Sequence, residues 1–425
     1  MALIQLNILT NGEQLTRINV ILCAMGYTHR QLFQKFMAPT SDAPLALEIT
    51  KAEGVYMFDT QGKSYMDLIS GIAVSNVGHR NPAVVKAIKD QVDAYMHLMV
   101  YGEYIQSPQV QLAEALVKST GSEYLNQVYF TNSGTEAVEG AMKLAKRYTG
   151  RTEFISCFNA YHGASQGALS IAGDENFKNA FRPLLPDIRH IHHGCLAHLA
   201  KITEKTAAVI IEIVAGEAGV KTAPASYFQA LRQRCTKTGT LLIVDEIQSG
   251  FGRTGTFWAF QPMHIVPDIL LTAKGMGGGM PIGAFLANEE VMKTLSFEPV
   301  LGHITTFGGH PVSCAASLAT LRYILDEQLM AQIPAKSELF KKLLQHPIIH
   351  EVRGIGFMLA VEMQDFKTVK AVIDECIQNG LITDWFLFCD NSLRIAPPLT
   401  ITEEEIKIAC NILLQAMDKV YSLKN

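Results

Sequence analysis

Residues 127–156 read QVYFTNSGTEAVEGAMKLAKRYTGRTEFIS, and this stretch decides the fold. It begins with an apolar run at 127–130 and ends with another at 153–156. Between them, Thr135 to Tyr148 carries apolar residues at positions 137, 138, 141, 144 and 145, which is the period of an amphipathic helix. The stretch therefore predicts strand, helix and strand, the unit from which parallel sheets are built.

The same alternation continues along the middle of the chain. Further apolar runs at Ala207 to Val214, Thr240 to Val244 and Asp268 to Thr272 are separated by helical patterns. This alternation predicts an α/β fold with a mostly parallel sheet covered by helices on both faces.

The two ends of the chain differ from its middle. Residues 45–70 resemble a hairpin, with turn signals at Gly54 and Gln61-Gly62. The C-terminal part has helical patterns and short apolar runs: 322–345, 365–379, 402–420, Gly354 to Glu362 and Ser392 to Ile395. We expect residues 1–75 and 321–425 to form one smaller α+β domain and residues 76–320 to form the large domain.

Composition limits the class of protein. A chain of 425 residues is long enough for more than one domain, and a net charge of −4 gives no reason to expect nucleic acid or an anionic membrane as partner. Eight cysteines without a C-x-x-C pair argue against a disulfide scaffold and fit the cytoplasm. The apolar stretch Ile18 to Met25 is far shorter than the roughly 20 residues of a membrane helix and lacks the flanks of a signal peptide.

Lys274 ends an apolar strand and precedes a glycine-rich turn, Gly275 to Pro281. A lysine kept away from water there would have a lowered pKa, which favours the neutral amine that a Schiff base requires; the alternative is a surface lysine beside a loop. A phosphate-binding P-loop is excluded because its lysine follows the glycines. The dinucleotide fingerprint fails because Met280 stands at its sixth position.

Two further segments carry residues that could bind a ligand. Asp245 ends the strand that begins at Thr240, at the edge where open α/β sheets bind ligands, so it could pair with a protonated pyridine nitrogen or simply cap a loop. Ser133 and Glu136 form the S-x-x-E pattern of a capping box, and the same helix start could bind a phosphate. His190-Ile-His192-His193 has no partner at ligand spacing, and we interpret it as a loop rather than a metal site.

Eight motifs in this order resemble the class III aminotransferases that depend on pyridoxal 5′-phosphate (PLP). The resemblance runs from about Leu45 to the end and includes ornithine, acetylornithine and 4-aminobutyrate aminotransferases, which have PLP fold type I. The motifs are SGIAVSNVGH from Ser70, NSGTEA from Asn132, YHG from Tyr161, GEAGV from Gly216, DEIQSGFGRTG from Asp245, AKG from Ala273, TFGGHP from Thr306 and LRIAPPL from Leu393.

The resemblance implies a role for each matching residue. Lys274 would form the Schiff base and move the proton, and Asp245 would keep the pyridine nitrogen protonated. Arg394 would bind the substrate carboxylate, and Glu217 would pair with Arg394 when no carboxylate is bound. The implied cofactor-binding residues are Ser133, Gly134, Thr135, Tyr161, His162, Glu212, Asp245, Gln248, Lys274 and, from the partner subunit, Thr306.

Three positions depart from the family pattern. Ala164 follows Tyr-His-Gly where arginine is common, and the stretch Glu212 to Glu217 lacks the usual proline and glutamine. Ile72 replaces the tyrosine of ornithine aminotransferase, which argues against ornithine as donor. These departures concern the substrate more than the cofactor.

The sequence therefore predicts a cytoplasmic, homodimeric PLP aminotransferase that moves an amino group from an amino acid or ω-amino donor to an oxo acid, with the active site at the subunit interface. An aminomutase or decarboxylase of the same fold is the first alternative, and dependence on an amino acceptor separates them. A more distant alternative is a nucleotide-binding oxidoreductase or a non-catalytic binding protein. The sequence leaves the donor and acceptor open.

Overall fold

The structure is a computed structural model and describes residues 27–423, so the stretch Ile18 to Met25 lies outside the described part. The chain divides into two compact units. Of the described residues, one unit comprises those up to Lys51 together with Met57–Ser64, and the other comprises Ala52–Tyr56 and those from Tyr65 to residue 423. The boundaries after residues 75 and 320 stay a prediction.

The N-terminal elements are one helix and three short strands. Helix α1 (His29–Phe36) begins at a capping box in which Thr28 and Gln31 satisfy each other's backbone amides. The strands are β1 (Ile49–Glu53), β2 (Tyr56–Asp59) and β3 (Ser64–Asp67). Gly54 and Gly62, predicted as turn residues, both have positive φ, 59° and 80°.

A seven-stranded sheet forms the centre of the second unit, and its mostly parallel character is confirmed. The strands of this part of the chain are β4 (Gln127–Thr131), β5 (Glu153–Cys157), β6 (Ile188–Ile191), β7 (Thr206–Glu212), β8 (Val214–Ala215), β9 (Lys221–Thr222), β10 (Leu241–Asp245), β11 (Ile269–Thr272) and β12 (Gly283–Ala287). The order in the sheet is β4-β12-β11-β10-β7-β5-β6. Strand β12 is antiparallel to both of its neighbours, whereas the pairs from β11 to β6 are parallel.

Helices cover both faces of this sheet. They and the C-terminal helices are α2 (Pro82–Ala94), α3 (Ser107–Thr120), α4 (Gly134–Thr149), α5 (Gln166–Ile171), α6 (Ala225–Thr238), α7 (Glu289–Lys293), α8 (Pro311–Asp326), α9 (Leu329–Leu343), α10 (Phe366–Gln378) and α11 (Glu403–Ser422). Successive residues of β10 belong to different apolar clusters: Leu241 and Ile243 pack with α4, whereas Leu242 and Val244 pack into the larger cluster. Because strand side chains alternate between faces, both faces of the sheet are buried.

The C-terminal part adds a second sheet of order β13-β14-β17-β16. The strands of this part of the chain are β13 (Glu351–Ile355), β14 (Met358–Glu362), β15 (Leu381–Ile382), β16 (Trp385–Phe386) and β17 (Cys389–Ile395), and all except β15 belong to the second sheet. Strand β15 instead pairs in parallel with Met66 and Asp67 of β3. The single helix expected over 322–345 is wrong: Gln328 has φ 48°, which interrupts the helix and separates α8 from α9.

No helix within residues 27–423 is long and apolar enough to cross a membrane. The carboxyl ends of β4, β7, β10 and β11 meet at one edge of the large sheet, and the chain continues there into the predicted site residues. The fold thus concentrates those residues at the place where open α/β sheets bind ligands.

Candidate active site

A cavity of about 520 Å³ lies at this edge of the sheet, a size typical of a small-molecule site. It brings together ten of the predicted site residues: Ser133, Gly134, Thr135, Tyr161, His162, Glu212, Glu217, Asp245, Gln248 and Lys274. Two predicted residues do not line it. Arg394 is buried behind Glu217, and Thr306 is exposed on the surface.

One end of the cavity is the N-terminus of α4. Ser133 caps this helix, since its Oγ accepts a hydrogen bond from Glu136 N at 3.3 Å. Glu136 does not complete the box on Ser133 but accepts from Asn132 N at 2.8 Å. A Cβ on Gly134 would lie 3.0 Å from a methyl group of Ile247, so glycine keeps the helix start open. Free amides and the helix dipole make this end suitable for a phosphate.

Ser165 holds Thr135 in place, a contact that the sequence did not indicate. The two hydroxyl oxygens lie 2.6 Å apart, and Ser165 Oγ also donates to Glu139 Oε1 at 2.6 Å. The same carboxylate oxygen accepts from Gly167 N at 2.7 Å at the start of α5. Thr135 is therefore fixed by a chain of polar contacts that reaches two helices.

Asp245 and His162 form a buried pair beneath the cavity. Asp245 Oδ2 lies 2.7 Å from His162 Nδ1, and Asp245 Oδ1 accepts from Ile247 N at 3.0 Å. Burial lowers the pKa of His162, but the hydrogen bond to Asp245 and its charge outweigh burial and raise it. An aspartate with both oxygens held in this way has a fixed orientation, as an ion pair with a ring nitrogen requires.

Among the described residues that line the cavity, two have a buried polar atom without a hydrogen-bond partner, His162 Nε2 and Glu212 Oε2. Glu212 Oε1 accepts from Gly216 N at 3.1 Å, and burial raises the Glu212 pKa to about 7. Buried polar atoms normally have partners, so orphans in a cavity wall indicate a missing polar ligand.

Lys274 lies two residues beyond the end of β11, with φ 45°, and is partly buried in the cavity wall. Burial lowers the Lys274 pKa, while the nearby carboxylates of Glu217 and Asp245 oppose the shift. The alternative of a surface lysine is thus wrong. A desolvated amine with a lowered pKa can act as a nucleophile and as a base.

Arg394 and Glu217 form a buried two-pronged ion pair. Nη1 donates to Glu217 Oε1 and Nη2 to Glu217 Oε2, both at 2.9 Å. Leu387 N also donates to Glu217 Oε2 at 3.0 Å. Burial raises the Glu217 pKa, but Arg394 outweighs this effect and lowers it. The arrangement offers a guanidinium whose carboxylate-binding face is already occupied by a side-chain carboxylate.

Asp384 is a second acid on the same arginine, and the sequence did not indicate it. Its Oδ1 lies 2.9 Å from Arg394 Nε, whereas Glu217 is bound by Nη1 and Nη2. Burial raises the Asp384 pKa to about 6, against the attraction of Arg394. Arg394 also lies over the ring of Phe386, 4.6 Å from its centroid.

The interpretation of the histidine run as a loop is wrong for its first half, since His190 and Ile191 end strand β6 and only His192 and His193 lie beyond it. His190 Nε2 lies 3.0 Å from Ala172 O, and His193 Nε2 lies 3.0 Å from Glu212 O. Across residues 27–423, no group of three or more His, Cys, Asp or Glu side chains is placed to hold a metal ion.

The donor set fits PLP. A helix N-terminus suits its phosphate, a buried aspartate its ring nitrogen, an orphaned carboxylate and Gln248 its phenolic oxygen, and a desolvated lysine its aldehyde. Fold and site together define a PLP enzyme of fold type I.

Comparison with known proteins establishes the family. The profile of the family described as aminotransferase class-III matches residues 36–417, so the chain belongs to the class-III aminotransferases, which are PLP-dependent enzymes.

Named relatives agree with this assignment. The chain is 41% identical over 392 residues to an acetylornithine aminotransferase of Methanopyrus kandleri, covering 91% of this chain and 98% of the relative. It is 39% identical over 367 residues to that of Archaeoglobus fulgidus, covering 86% and 94%. Among solved structures, the ornithine aminotransferase of Toxoplasma gondii matches with a TM-score of 0.87 at 27% identity, covering 98% of this chain and all of that one.

Proposed function

We propose that this aminotransferase uses donors and acceptors that carry a carboxylate next to the reacting carbon, with Lys274 as the reactive amine and Arg394 as the carboxylate site. One observation carries the proposal: a lysine whose pKa is lowered by desolvation lines the same cavity as Glu217, and Glu217 forms an ion pair with Arg394 behind the cavity wall. The relatives are named for acetylornithine, whose free amine lies on a carbon without a carboxylate, so acetylornithine is assayed separately as an ω-amino donor that would leave the Glu217–Arg394 pair closed.

Different residues of the cavity would bind different parts of PLP. Gly134 and Thr135 would bind its phosphate, Asp245 oriented by His162 would bind its ring nitrogen, and Tyr161 would lie against the ring. Gln248 and Glu212 would bind its phenolic oxygen. PLP itself supplies an electron sink for the negative charge that develops on the substrate carbon.

Lys274 would carry the proton. With burial lowering its pKa, Nζ can be neutral when the substrate is in place and can take the proton from the reacting carbon. The ammonium so formed is stabilised by the carboxylates of Glu217 and Asp245, which favour the charged amine. Nζ can then return the proton elsewhere, so one group serves as base and acid.

Glu217 would act as a gate on Arg394. A substrate carboxylate offers the guanidinium the same two oxygens that Glu217 supplies now, so it can replace Glu217 without leaving the buried cation unpaired. Asp384 would stay on Nε and keep the guanidinium in orientation during the exchange. A substrate without this carboxylate would leave the Glu217–Arg394 pair closed.

We also propose a cytoplasmic C2 homodimer in which Thr306 completes the partner's phosphate site. Thr306 is exposed and does not line its own subunit's cavity, as a residue that serves a partner would be. Sedimentation at assay concentration should show a dimer, and an active monomer would contradict this proposal.

The deciding experiment screens amino donors against pyruvate and 2-oxoglutarate in separate assays. We expect amino transfer that requires an added oxo acid. Turnover without an acceptor, with release of carbon dioxide or an isomeric amine, would replace the proposal by a decarboxylase or an aminomutase.

A further inference from the structure

A second cavity, of about 520 Å³, adjoins the active site on the side of Tyr161. Tyr161, Gly163 and Ala164 line both cavities. We call the second cavity the apolar recess, because its remaining wall is mostly hydrocarbon. Its main apolar side chains are Leu169, Phe177, Phe181, Leu387 and Phe388.

The recess adjoins the carboxylate site through one loop. Leu387 N donates to the Glu217 carboxylate at 3.0 Å, and Phe388 N donates to Glu217 O at 3.1 Å. The residues that hold Glu217 thus also form a wall of the recess. The rings of Phe177 and Phe388 make an edge contact, with centroids 5.2 Å apart, which joins the two sides of this wall.

Charge is scarce in the recess. Among its described lining residues the one charged side chain is Arg182, and its Nη2 is paired with Glu175 Oε2 at 2.6 Å. Ala164 occupies the position where the resembled enzymes commonly have arginine and offers a carboxylate nothing. A charged substrate end placed here would lose water without gaining a free partner.

We propose that the substrates of this enzyme carry an apolar, uncharged group at the end remote from the carboxylate on Arg394, and that the recess receives this group. The inference rests on the proposed function of Arg394 and extends it from the bound carboxylate to the rest of the molecule. The substrate class is that of amino acids with aliphatic or aromatic side chains and of the matching oxo acids.

A binding experiment tests the recess independently of turnover. Hexanoate and adipate have the same chain length and differ in one terminal group, a methyl in place of a carboxylate. On the PLP-loaded enzyme, calorimetry should show hexanoate binding at least about tenfold more tightly, because the second carboxylate of adipate would be desolvated without a partner. Equal or tighter binding of adipate would overturn the proposal.

Two phenylalanine variants locate the effect. Phe177→Ala opens the recess, and Phe366→Ala is a matched control: Phe366 is similarly exposed and makes an edge contact with Trp385 at the same 5.2 Å, outside the recess. We expect Phe177→Ala to lower kcat/KM for norleucine about tenfold and to leave that for alanine nearly unchanged, whereas Phe366→Ala changes neither. Equal losses in both variants would contradict the recess.

A variant of Arg182 distinguishes an apolar recess from one in which Arg182 binds a distal carboxylate. Its ion pair with Glu175 is half exposed and therefore weak. Arg182→Leu should leave the preference for norleucine over glutamate intact. A wild type that prefers glutamate, and loses this preference in Arg182→Leu, would overturn the apolar recess while leaving the aminotransferase reaction standing. If no donor supported amino transfer, the proposed carboxylate-dependent reaction would be contradicted. The comparison of hexanoate and adipate binding would still test the recess, because it does not depend on turnover.

Discussion

The two ends of the active-site region are built in opposite ways. At the cofactor end, Ser133, Asp245 and Lys274 each lie at or within two residues of the carboxyl end of a strand, and their polar neighbours are paired at 2.6–3.3 Å. At the substrate end, loops supply Ala164, Phe388 and other mostly apolar side chains. The cofactor end is thus determined by sheet topology, whereas the substrate end is determined by loop residues that can change without disturbing the sheet.

This contrast explains where the chain departs from its family. The motifs around Ser133, Asp245 and Lys274 resemble the family pattern, while Ala164 and the residues between Glu212 and Glu217 depart from it. Changes at the first end should therefore remove the reaction, and changes at the second should redirect it.

The largest effect is expected for Lys274→Ala, which removes the reactive amine. Amino transfer should fall to the level without enzyme, and borohydride should leave no PLP covalently attached. Lys336 is the control, since it is a second lysine whose pKa is lowered mainly by burial, but it lies in α9 away from the cavity. Lys336→Ala should retain transfer. Activity of Lys274→Ala near that of the wild type would place the reactive amine elsewhere.

Asp245→Ala should come next. Removing the partner of a buried cationic ring costs about 3–5 kcal/mol, so we expect kcat to fall at least about a hundredfold. Asp268 is a comparable carboxylate at the start of β11, paired with Arg232 at 2.6 Å, and Asp268→Asn should change kcat only slightly. A loss of less than about fivefold in Asp245→Ala with PLP still bound would remove the role assigned to Asp245.

Ala164→Arg tests the substrate end. A cation at this position would bind the distal carboxylate of 2-oxoglutarate, so the preference for 2-oxoglutarate over pyruvate should rise about ten- to a hundredfold. The measurement is kcat/KM for both acceptors in both proteins. A wild type already strongly selective for 2-oxoglutarate would show that the distal carboxylate binds elsewhere.

Asp384→Asn should have the smallest effect and a distinctive one. With one acid removed, Arg394 would hold Glu217 more firmly, so KM for carboxylate substrates should rise roughly tenfold with little change in kcat. The exposed Asp390 on the same hairpin is the control.

The raised pKa of Asp384 adds a pH signature. Because its pKa is about 6, the carboxylate is charged at pH 7 and becomes neutral as pH falls below about 6. The wild-type KM should rise over this range towards that of Asp384→Asn, and the variant should lack this component. Parallel pH profiles in the two proteins would contradict the role of Asp384.

Sequence reasoning reached the cofactor end because strand ends and helix starts have local patterns. It located Ser133, Asp245 and Lys274 from apolar runs that stop at a polar residue. It missed Ser165, whose contact with Thr135 depends on two helices meeting, and Asp384, which reaches Arg394 through β16 and β17. A two-residue strand such as β16 has no period to detect.

Backbone details were also beyond the sequence patterns. Ser70–Ala73 is a left-handed turn with φ of 49°, 61°, 63° and 58°, an unusual conformation for the β-branched Ile72. The break at Gln328 has no glycine or proline at the residue itself. The direction of β12 is likewise invisible, since an apolar run reads the same in a parallel and an antiparallel strand.

The antiparallel strand β12 has a consequence for what the cavity accepts. It lies between β4 and β11, so two strand spacings, roughly 10 Å, separate the backbones that lead to the α4 N-terminus and to Lys274. Glycine at position 283 allows β12 to lie close to the backbone of Ser133, because a Cβ there would lie 2.3 Å from Ser133 O. A ligand must therefore have the right length to place an anion at one boundary and a carbonyl carbon within reach of the amine at the other. Selection by molecular length is in this sense a property of the strand order, present before any side chain contacts the ligand.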